Sequence, residues 1–249
     1  MISQSRLNDI AVEAGKAIMK VYNEERIEIV NKDDGSPVTK ADLKADAVIR
    51  KQLSRYSKYP ILSEESPVPY EQRKNWKSLW IVDPLDGTKD FIAKNGQFTV
   101  NIALIENNYP TMGVVYIPVS DTLYYAKKGC GSFKNGNKIY NNSKRKKLIA
   151  SDSVFHSTDE TLAFLKKHNI LNIKKFGSSI KLCKLAEGEI DVYPRFNGTK
   201  EWDTAAGHII ANEAGCKLID IETKAELQYN KKNIKNSYFI ASRNDLEFD

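Results

Sequence analysis

Two aspartates, Asp83 and Asp86, lie three positions apart directly after an apolar run in the segment "WIVDPLDGTKDF" (80–91). Pro84 and Gly87 predict that the chain turns here, because both residue types interrupt regular structure. A turn alone does not explain why an acid stands on each side of it. Carboxylates beyond the end of a strand suit a bound cation, so we prefer a metal site to a plain turn.

Further acids stand at the ends of other predicted elements. Glu64 and Glu65 close a short strand, and Asp42 and Asp203 lie in the first turns of two predicted helices. For the two helical acids alone, a favourable interaction with the helix dipole is the simpler explanation. Taken together, the acids form a set of hard oxygen donors without histidine or cysteine at metal-ligand spacing. This set favours Mg²⁺, Mn²⁺ or Ca²⁺ over zinc.

An anion site is predicted beside these acids. Gly87, Thr88 and Lys89 are suited to open a short helix whose free N–H groups face a phosphate. Lys89 is equally compatible with phosphate contact and with an exposed charge at the turn. Carboxylates for metals next to such a helix start favour metal-dependent phosphoryl hydrolysis.

The bulk composition is that of a globular protein with a substantial core. The chain has 249 residues, of which 41% are hydrophobic and 28% charged. A net charge of +6 is compatible with anionic ligands. The densest basic run, "SKRKKL" (143–148), has no aromatic neighbours and belongs to no known nucleic-acid-binding motif. We therefore interpret it as a solvated loop and predict no nucleic-acid partner.

Cysteine usage and hydropathy predict a cytoplasmic protein without a membrane span. The three cysteines are odd in number and widely spaced, which argues against disulfides and zinc. Leu7, Ile10 and Ile18 have helical spacing in a segment that lacks a signal-peptide core. No segment approaches the ~20 apolar residues of a span. Peripheral association with the inner face of the membrane stays open, as does the choice between monomer and homodimer.

The elements that must position the acids change character along the chain. The first part predicts a hairpin over 26–39, a helix capped by Thr39 and running to about residue 56, and then mostly antiparallel strands. From about residue 145 strands alternate with helices, which favours α/β layers. We therefore predict an α+β subdomain over 1–145 with most metal ligands. A second, α/β subdomain over 146–249 would hold the last metal ligand, within one shared body.

Four motifs closely resemble the metal-dependent, lithium-sensitive phosphatase superfamily that includes inositol monophosphatase. "WIVDPLDGTKDF" matches its strand ending in Asp-Pro-Ile/Leu-Asp-Gly-Thr, and "EWDTAAG" (201–207) matches its Trp-Asp-x-Ala-Ala-Gly signature. "SEES" (63–66) and "PVTKAD" (37–42) match two further signatures in the expected order. The resemblance implies a layered α-β-α-β-α sandwich of the sugar-phosphatase type.

Within this superfamily the chain is most similar to the 3'(2'),5'-bisphosphate nucleotidases. It has "GTKDF" where inositol monophosphatases usually have Gly-Thr-Thr-Asn-Phe, and it carries the run "GSSIKLCKLAEGEIDVYPRF" (177–196). The resemblance implies removal of the 3'-phosphate of adenosine 3',5'-bisphosphate, giving AMP and phosphate. It also implies two or three Mg²⁺ ions, for which Mn²⁺ could substitute. The alternatives are an inositol or sugar phosphatase on the same fold and a basic binding module without catalysis, against which the acids argue.

The resemblance also implies residue roles. The ligands of the metal that activates water are Glu64, Asp83 and the carbonyl of Leu85. The ligands of the second metal, beside the leaving oxygen, are Asp83, Asp86 and Asp203. The pair that orients and deprotonates the water is Thr88 and Asp42, with Glu64 counted as a third catalytic residue. Contacts to the substrate come from Glu64, Gly87, Thr88, Asp203, Ser178, Lys181 and Arg195. Among these, Ser178, Lys181 and Arg195 face the nucleotide and its other phosphate, so the nucleotide-binding residues belong to the second subdomain, 146–249.

One motif departs from the superfamily pattern. Where a Ser-x-Ser-His run is common, this chain has "SDSVFHSTD", so His156 is displaced by two residues and its role stays open. Trp202 and Phe91 are predicted to pack in the core instead of stacking on the adenine ring.

Overall fold

The structure, a computed structural model, describes residues 2–25, 29–31 and 37–248. Its α-helices are α1 (Gln4–Tyr22), α2 (Lys40–Tyr56), α3 (Tyr70–Arg73), α4 (Thr88–Ile92), α5 (Asp159–Lys167), α6 (Ile180–Ala186) and α7 (Glu201–Asn212). Its first nine strands are β1 (Ile29–Asn31), β2 (Pro37–Thr39), β3 (Ile61–Ser63), β4 (Ser78–Asp86), β5 (Thr99–Glu106), β6 (Tyr109–Ile117), β7 (Thr122–Lys127), β8 (Gly131–Lys134) and β9 (Asn137–Ile139). The others are β10 (Ile149–Ser153), β11 (Asn172–Phe176), β12 (Val192–Arg195), β13 (Cys216–Asp220) and β14 (Phe239–Arg243).

The first large sheet has seven strands in the order β3-β4-β5-β6-β7-β8-β9, and every neighbouring pair except β3 and β4 is antiparallel. Both faces of this sheet are covered. On β4, Trp80 and Val82 pack with the apolar faces of α1 and α2, whereas Leu79 and Ile81 pack with α6 and α7. The alternation follows the two-residue period of a strand, and burial of both faces explains the unbroken apolar run.

The second large sheet has five strands in the order β11-β10-β12-β14-β13, with parallel pairs around β10 and antiparallel pairs around β14. Leu182 and Leu185 of α6 pack on one face, and Phe164 and Leu165 of α5 pack on the other. The layers are therefore α1 and α2, the seven-stranded sheet, α6 and α7, the five-stranded sheet, and α5. This order confirms the predicted α-β-α-β-α sandwich.

The predicted start of the second helix is confirmed in detail. Thr39 is the N-cap of α2, and its hydroxyl accepts a hydrogen bond from the backbone N–H of Ala41 at 3.1 Å. In return, Asp42 accepts from the backbone N–H of Thr39 at 2.8 Å, which completes the capping box. The strands of the predicted hairpin, β1 and β2, pair antiparallel. Its predicted turn and the first residues of its first strand lie outside the described residues.

The two sheets divide the chain near the predicted subdomain boundary. The strands of the first sheet span 61–139 and those of the second span 149–243. However, α7 belongs to the second half of the chain and packs on the first sheet. The boundary at residue 145 therefore stays a prediction about two halves that share one body. The sequence patterns omitted β8, β9, β14 and the short helix α3.

The basic run 143–148 is more ordered than predicted. Arg145 forms an ion pair with Asp191 at 3.1 Å and donates to the backbone carbonyl of Gly188. The prediction of a solvated loop is therefore wrong for Arg145, whereas Lys144, Lys146 and Lys147 are exposed. All three cysteines are free thiols, as predicted. Among the described residues, no helix has the length and apolar character that crossing a membrane requires.

Candidate active site

A β-bulge in β4 aims both aspartates of the opening motif at one place. Asp83 pairs with Asn101 and Asp86 pairs with Thr99, so β4 has one residue more than β5 between these two pairs. In a regular strand, residues three apart point to opposite faces, and one extra residue restores the same face. The predicted turn between the two acids is therefore wrong: the strand continues through Pro84 to Asp86.

Pro84 is compatible with a strand at this position because pairing with β3 does not require a backbone N–H there. The parallel pairing of β4 with β3 ends at the pair of Val82 and Ser63, before the proline. A proline is tolerated in a sheet at a position where no neighbouring strand would accept a backbone hydrogen bond from it. Glu64 follows β3 directly, so the end of that strand lies beside the bulge.

Three acids of different elements converge around the bulge. Glu64, Asp83 and Asp203 each offer a carboxylate oxygen, and these three oxygens lie within 4.8 Å of one another. Asp83 is only 1% exposed. Asp203 lies in the first turn of α7, where it accepts from the backbone N–H of Lys200 at 2.8 Å. The structure thus brings together residues 64, 83 and 203, as the sequence predicts.

The electrostatics of this acid cluster suit a bound cation. Burial raises the pKa of Asp83 well above its usual range, and the neighbouring charges of Glu64, Asp86, Asp203 and Asp42 raise it further. Burial likewise raises the pKa of Asp203 to about 8, with contributions from Asp86 and Glu64. Buried like charges are costly unless a counter-charge accompanies them. The all-oxygen donor set fits Mg²⁺ or Mn²⁺.

Thr88 connects the cavity at this cluster to Asp42. Its hydroxyl donates towards Asp42 Oδ1 at 3.4 Å and also lies 3.5 Å from the carbonyl oxygen of Leu85. Asp42 is buried, and its other oxygen, Oδ2, accepts from both the backbone N–H and the hydroxyl of Thr39. The capping box therefore holds Asp42 in place and directs Oδ1 to Thr88. Thr88 and Leu85 line the cavity, whereas Asp42 lies behind them.

Asp86 is held by donors from both halves of the chain. Its Oδ2 accepts from the Ser178 hydroxyl at 2.6 Å, from the backbone N–H of Ser179 at 2.7 Å and from the Asn101 side-chain amide at 3.3 Å. Ser178 was predicted to contact the nucleotide. In the structure its hydroxyl instead donates to Asp86, a predicted metal ligand. Sequence spacing could not indicate this partner.

The acid cluster opens into a cavity of about 470 Å³, part of whose wall is cationic. This volume lies within the usual range of small-molecule sites. Lys181 is 4% exposed and donates to the backbone carbonyls of Phe176 at 3.1 Å and Ser178 at 2.6 Å. Burial, followed by the charge of Arg195, lowers its pKa to about 8. Lys181 is therefore a buried cation, as its predicted role requires.

Arg195 is the second cation of this wall and is 8% exposed. It ends β12, whose antiparallel pairing with β14 fixes its position. Its buried Nε has no hydrogen-bond partner among the residues that the structure describes. A buried donor without an acceptor is costly, and a phosphate or carboxylate oxygen from a ligand would satisfy it.

His156, whose role the displaced sequence motif left open, lines the same cavity. Burial of its ring, together with the charges of Arg195, Lys89 and Lys181, lowers the pKa of His156 to about 4. The ring is therefore neutral at physiological pH and can both donate and accept a hydrogen bond. The two-residue displacement of the motif does not remove this histidine from the site.

Some of the remaining residues considered in the sequence analysis line the cavity, and others lie outside it. Gly87 lines the cavity with a φ of 91°, a conformation that favours glycine, and Lys89 lines it from an exposed position. Glu64 lines the cavity, but Glu65 is not among its lining residues. Phe91 is fully buried in the core, as predicted. Trp202 is buried in the core and also borders the cavity.

Several cavity residues were missed by sequence analysis altogether. Ser153 closes β10, Tyr193 precedes Arg195 by two positions on β12, and Thr204 follows Asp203. Tyr193 lies one strand period from Arg195 and so shares its face, which is the one local signal that could have identified it. Ser153 and Thr204 have no comparable local signal.

Comparisons with known proteins agree with this geometry. The profile described as "Inositol monophosphatase family" matches residues 4–247. A protein of Salmonella typhimurium named 3'(2'),5'-bisphosphate nucleotidase CysQ is 45% identical over 223 residues, which covers 86% of this chain and 89% of the relative. A protein of the same name from Buchnera aphidicola is 42% identical over 95% of this chain and 92% of its own length. The crystal structure of CysQ from Bacteroides thetaiotaomicron superposes with a TM-score of 0.88 at 39% identity and covers 98% of this chain and 97% of that one.

Proposed function

This chain belongs to the inositol monophosphatase family, and we propose that it is a 3'(2'),5'-bisphosphate nucleotidase. It would hydrolyse the 3'-phosphomonoester of adenosine 3',5'-bisphosphate and release AMP and phosphate. The relatives that bear this name match most of the chain, and one of them has a closely similar structure.

The observation that supports this substrate best is the pairing of two opposite charges in one cavity. The acid cluster of Glu64, Asp83 and Asp203 forms one wall, and the buried cations Lys181 and Arg195 form another. A substrate with two phosphates satisfies both walls at once. One phosphate would lie at the acid cluster, where the metal ions would bind, and the other would accept hydrogen bonds from the cations. An inositol monophosphate has no second phosphate for Arg195.

We assign the metal ligands from the donors around the bulge. Glu64, Asp83 and the carbonyl of Leu85 would hold one Mg²⁺, and Asp83, Asp86 and Asp203 would hold a second. When bound, such a pair lowers the pKa of a water and neutralises the charge that develops on the leaving oxygen. We expect two or three ions, with Mn²⁺ able to substitute because it accepts the same oxygen donors.

Thr88 and Asp42 are the groups that can move a proton at the site. The Thr88 hydroxyl orients the attacking water as a hydrogen-bond acceptor and donates its own proton towards Asp42 Oδ1. Thr39 donates twice to Oδ2, which holds the Asp42 carboxylate with Oδ1 directed towards Thr88. Proton transfer by a positioned side chain typically contributes 10²–10⁴-fold to the rate. Glu64, whose carboxylate belongs to the acid cluster, is the third residue to which we assign a catalytic role.

The nucleotide end of the substrate would meet Lys181, Arg195 and the neutral ring of His156. The Arg195 fork can bind the 5'-phosphate with two parallel hydrogen bonds, which also satisfies its buried Nε. Gly87 would present its backbone to the scissile phosphate from a left-handed conformation, and the absence of a Cβ leaves room for the Gln97 carbonyl and the Ser178 Cβ, each 3.2 Å from where a Cβ would lie. We include a cytoplasmic location and a monomeric or homodimeric state in the proposal as predictions.

A phosphate-release panel tests this function. The purified protein is assayed with Mg²⁺ against adenosine 3',5'-bisphosphate, the 2',5'-isomer and inositol 1-phosphate, with and without Li⁺. We expect kcat/KM for the 3',5'-bisphosphate to exceed that for inositol 1-phosphate by at least about 100-fold, since losing a charge-assisted contact costs about 1.5–3 kcal/mol and two cations face the second phosphate. We also expect Li⁺ to inhibit turnover. Equal values for both substrates would support the sugar-phosphatase alternative, and binding without Mg²⁺-dependent turnover would support a non-catalytic module.

A further inference from the structure

The turn at Gly177, Ser178 and Ser179 touches both walls of the cavity. On one side, the Ser178 hydroxyl and the Ser179 N–H donate to Asp86 Oδ2 at 2.6 and 2.7 Å. On the other side, Lys181 Nζ donates to the Ser178 carbonyl at 2.6 Å. Ser178 thus lies between a predicted ligand of the second metal and a predicted ligand of the nucleotide phosphate.

This turn is held tightly against the first sheet. The Ser178 and Ser179 hydroxyls lie 2.6 and 2.8 Å from the Thr99 hydroxyl, and Ser179 also donates to the Asn101 side-chain oxygen at 2.8 Å. Thr99 is fully buried, and Asn101 is 1% exposed. Asn101 in turn donates to Asp86. The turn and the bulge therefore form one hydrogen-bonded unit across the two halves of the chain.

Two backbone features place the turn under constraint. Ser178 has a φ of 51°, in the left-handed region that serine adopts at a cost. A Cβ at Gly177 would lie 2.7 Å from Asp90 Oδ1 and 2.8 Å from the Gln97 carbonyl, so only glycine allows this close approach. Such a constrained conformation persists only where surrounding contacts determine it.

We propose that Ser178 is a positioning residue that couples nucleotide binding to the second metal ion. This inference rests on the proposed function. A phosphate at Lys181 restrains the side chain that holds the Ser178 carbonyl, and the Ser178 hydroxyl in turn holds the carboxylate of Asp86. Because Oδ2 accepts all three donors, Oδ1 takes none of these bonds and is the oxygen left for the metal. The nucleotide and Mg²⁺ therefore each increase the affinity for the other, as linkage requires.

Calorimetric titration of the intact protein with Mg²⁺ tests the coupling without turnover. Titrations are run alone, with AMP and with adenosine, which lacks the phosphate. In the wild-type protein we expect AMP to lower the Kd of the weaker Mg²⁺ site at least about fivefold, and adenosine to leave it unchanged. Removing the Ser178 hydroxyl should weaken that site roughly 10- to 100-fold, the usual effect of losing a partner of a metal ligand. It should also reduce the effect of AMP to less than about twofold.

Two substitutions of Ser178 separate the hydroxyl from the backbone. Ser178→Ala removes the hydroxyl and keeps the cost of the left-handed conformation, whereas Ser178→Gly removes the hydroxyl and relieves that cost. Coupling should be lost in both variants. If it is lost only in Ser178→Ala, backbone strain and not the hydroxyl is responsible, and the proposal is wrong.

Ser153→Ala is the matched control. Ser153 lines the same cavity, but its hydroxyl accepts from the backbone N–H of His156 at 3.2 Å. We expect this variant to keep the effect of AMP on Mg²⁺ binding. If AMP tightens Mg²⁺ equally in the wild type and in both Ser178 variants, the phosphate acts on the ion directly and the inference is overturned. Failure of the proposed function would appear separately, as absence of phosphate release from adenosine 3',5'-bisphosphate.

Discussion

Asp83→Asn removes one negative charge from the centre of the acid cluster and leaves the shape of the side chain nearly unchanged. Asparagine keeps an oxygen that can accept from the backbone N–H of Leu85, as Asp83 Oδ1 does at 3.1 Å. We expect the metal-free variant to be more stable than the metal-free wild type. This sign is opposite to that of most substitutions at a position that is 1% exposed.

The magnitude follows from the geometry of the cluster. Unit charges on carboxylate oxygens that lie within 4.8 Å of one another repel by at least about 3.5 kcal/mol at an effective dielectric constant of 20. Protonation already relieves part of this repulsion, because the pKa of Asp83 is raised and that of Asp203 rises to about 8. We therefore expect a net gain of about 1–3 kcal/mol in the free energy of unfolding. For a chain of this size, this corresponds to an increase in Tm of roughly 2–12 °C.

The gain should depend on pH in a defined direction. The pKa of Asp203 rises from its ordinary value of 3.8 to about 8 on folding, so the folded protein binds more protons in this interval. Its contribution to stability is complete below about pH 4 and is lost as the pH rises through about 8. The difference in Tm between Asp83→Asn and the wild type should therefore increase between pH 5 and pH 8 without metal.

Thermal unfolding in EDTA and in Mg²⁺ measures both effects. Mg²⁺ should raise the Tm of the wild type by mass action and leave that of Asp83→Asn nearly unchanged, and turnover should be lost in the variant. Asp191→Asn is the matched control, because Asp191 is equally buried but pairs with Arg243 and Arg145, each at 3.1 Å. That substitution should destabilise by about 3–5 kcal/mol. If Asp83→Asn also lowers the Tm of the metal-free protein, or still responds to Mg²⁺, the acid cluster is not the metal site.

Three further predictions concern the cationic wall and the turn. Arg195→Ala should raise KM for adenosine 3',5'-bisphosphate about 10- to 150-fold, the equivalent of about 1.5–3 kcal/mol, while KM for inositol 1-phosphate stays within about twofold. Steady-state assays with both substrates measure this, and equal effects on the two KM values would remove Arg195 from the nucleotide site. Because burial lowers the pKa of Lys181 to about 8, AMP affinity measured by calorimetry should fall as the pH rises above about 8. This fall should be absent in Lys181→Met, and an identical pH profile in both proteins would contradict a phosphate contact by Lys181. Gly177→Ala should lower Tm and weaken Mg²⁺ binding, because the new Cβ would lie 2.7 Å from Asp90 Oδ1. The control Gly136→Ala, whose Cβ would have no neighbour within 4 Å, should destabilise by only about 1 kcal/mol. A smaller loss of Tm in Gly177→Ala than in Gly136→Ala would show that the turn can move freely.

The sequence by itself determined most of the elements and the acids that they carry. Local patterns indicate features that depend on residues close together in sequence. These features are the apolar periods of α1 and of the strands, the Thr39 capping box, and the alternation of strands and helices after residue 145. The motif residues Glu64, Asp83 and Asp203 were predicted to meet, and they do. The family itself was recognisable because short motifs kept their order along the chain.

Only the tertiary structure decided how these residues face one another. The bulge between Asp83 and Asp86 depends on the register with β5, and the bond from Ser178 to Asp86 spans 92 positions of sequence. The burial of Arg195 depends likewise on the packing of β12 in its sheet. The same holds for His156, whose role the displaced motif left open and which lines the cavity of the folded protein. Local spacing predicts which groups a segment carries, but pairing register and packing between distant segments determine which of those groups become partners.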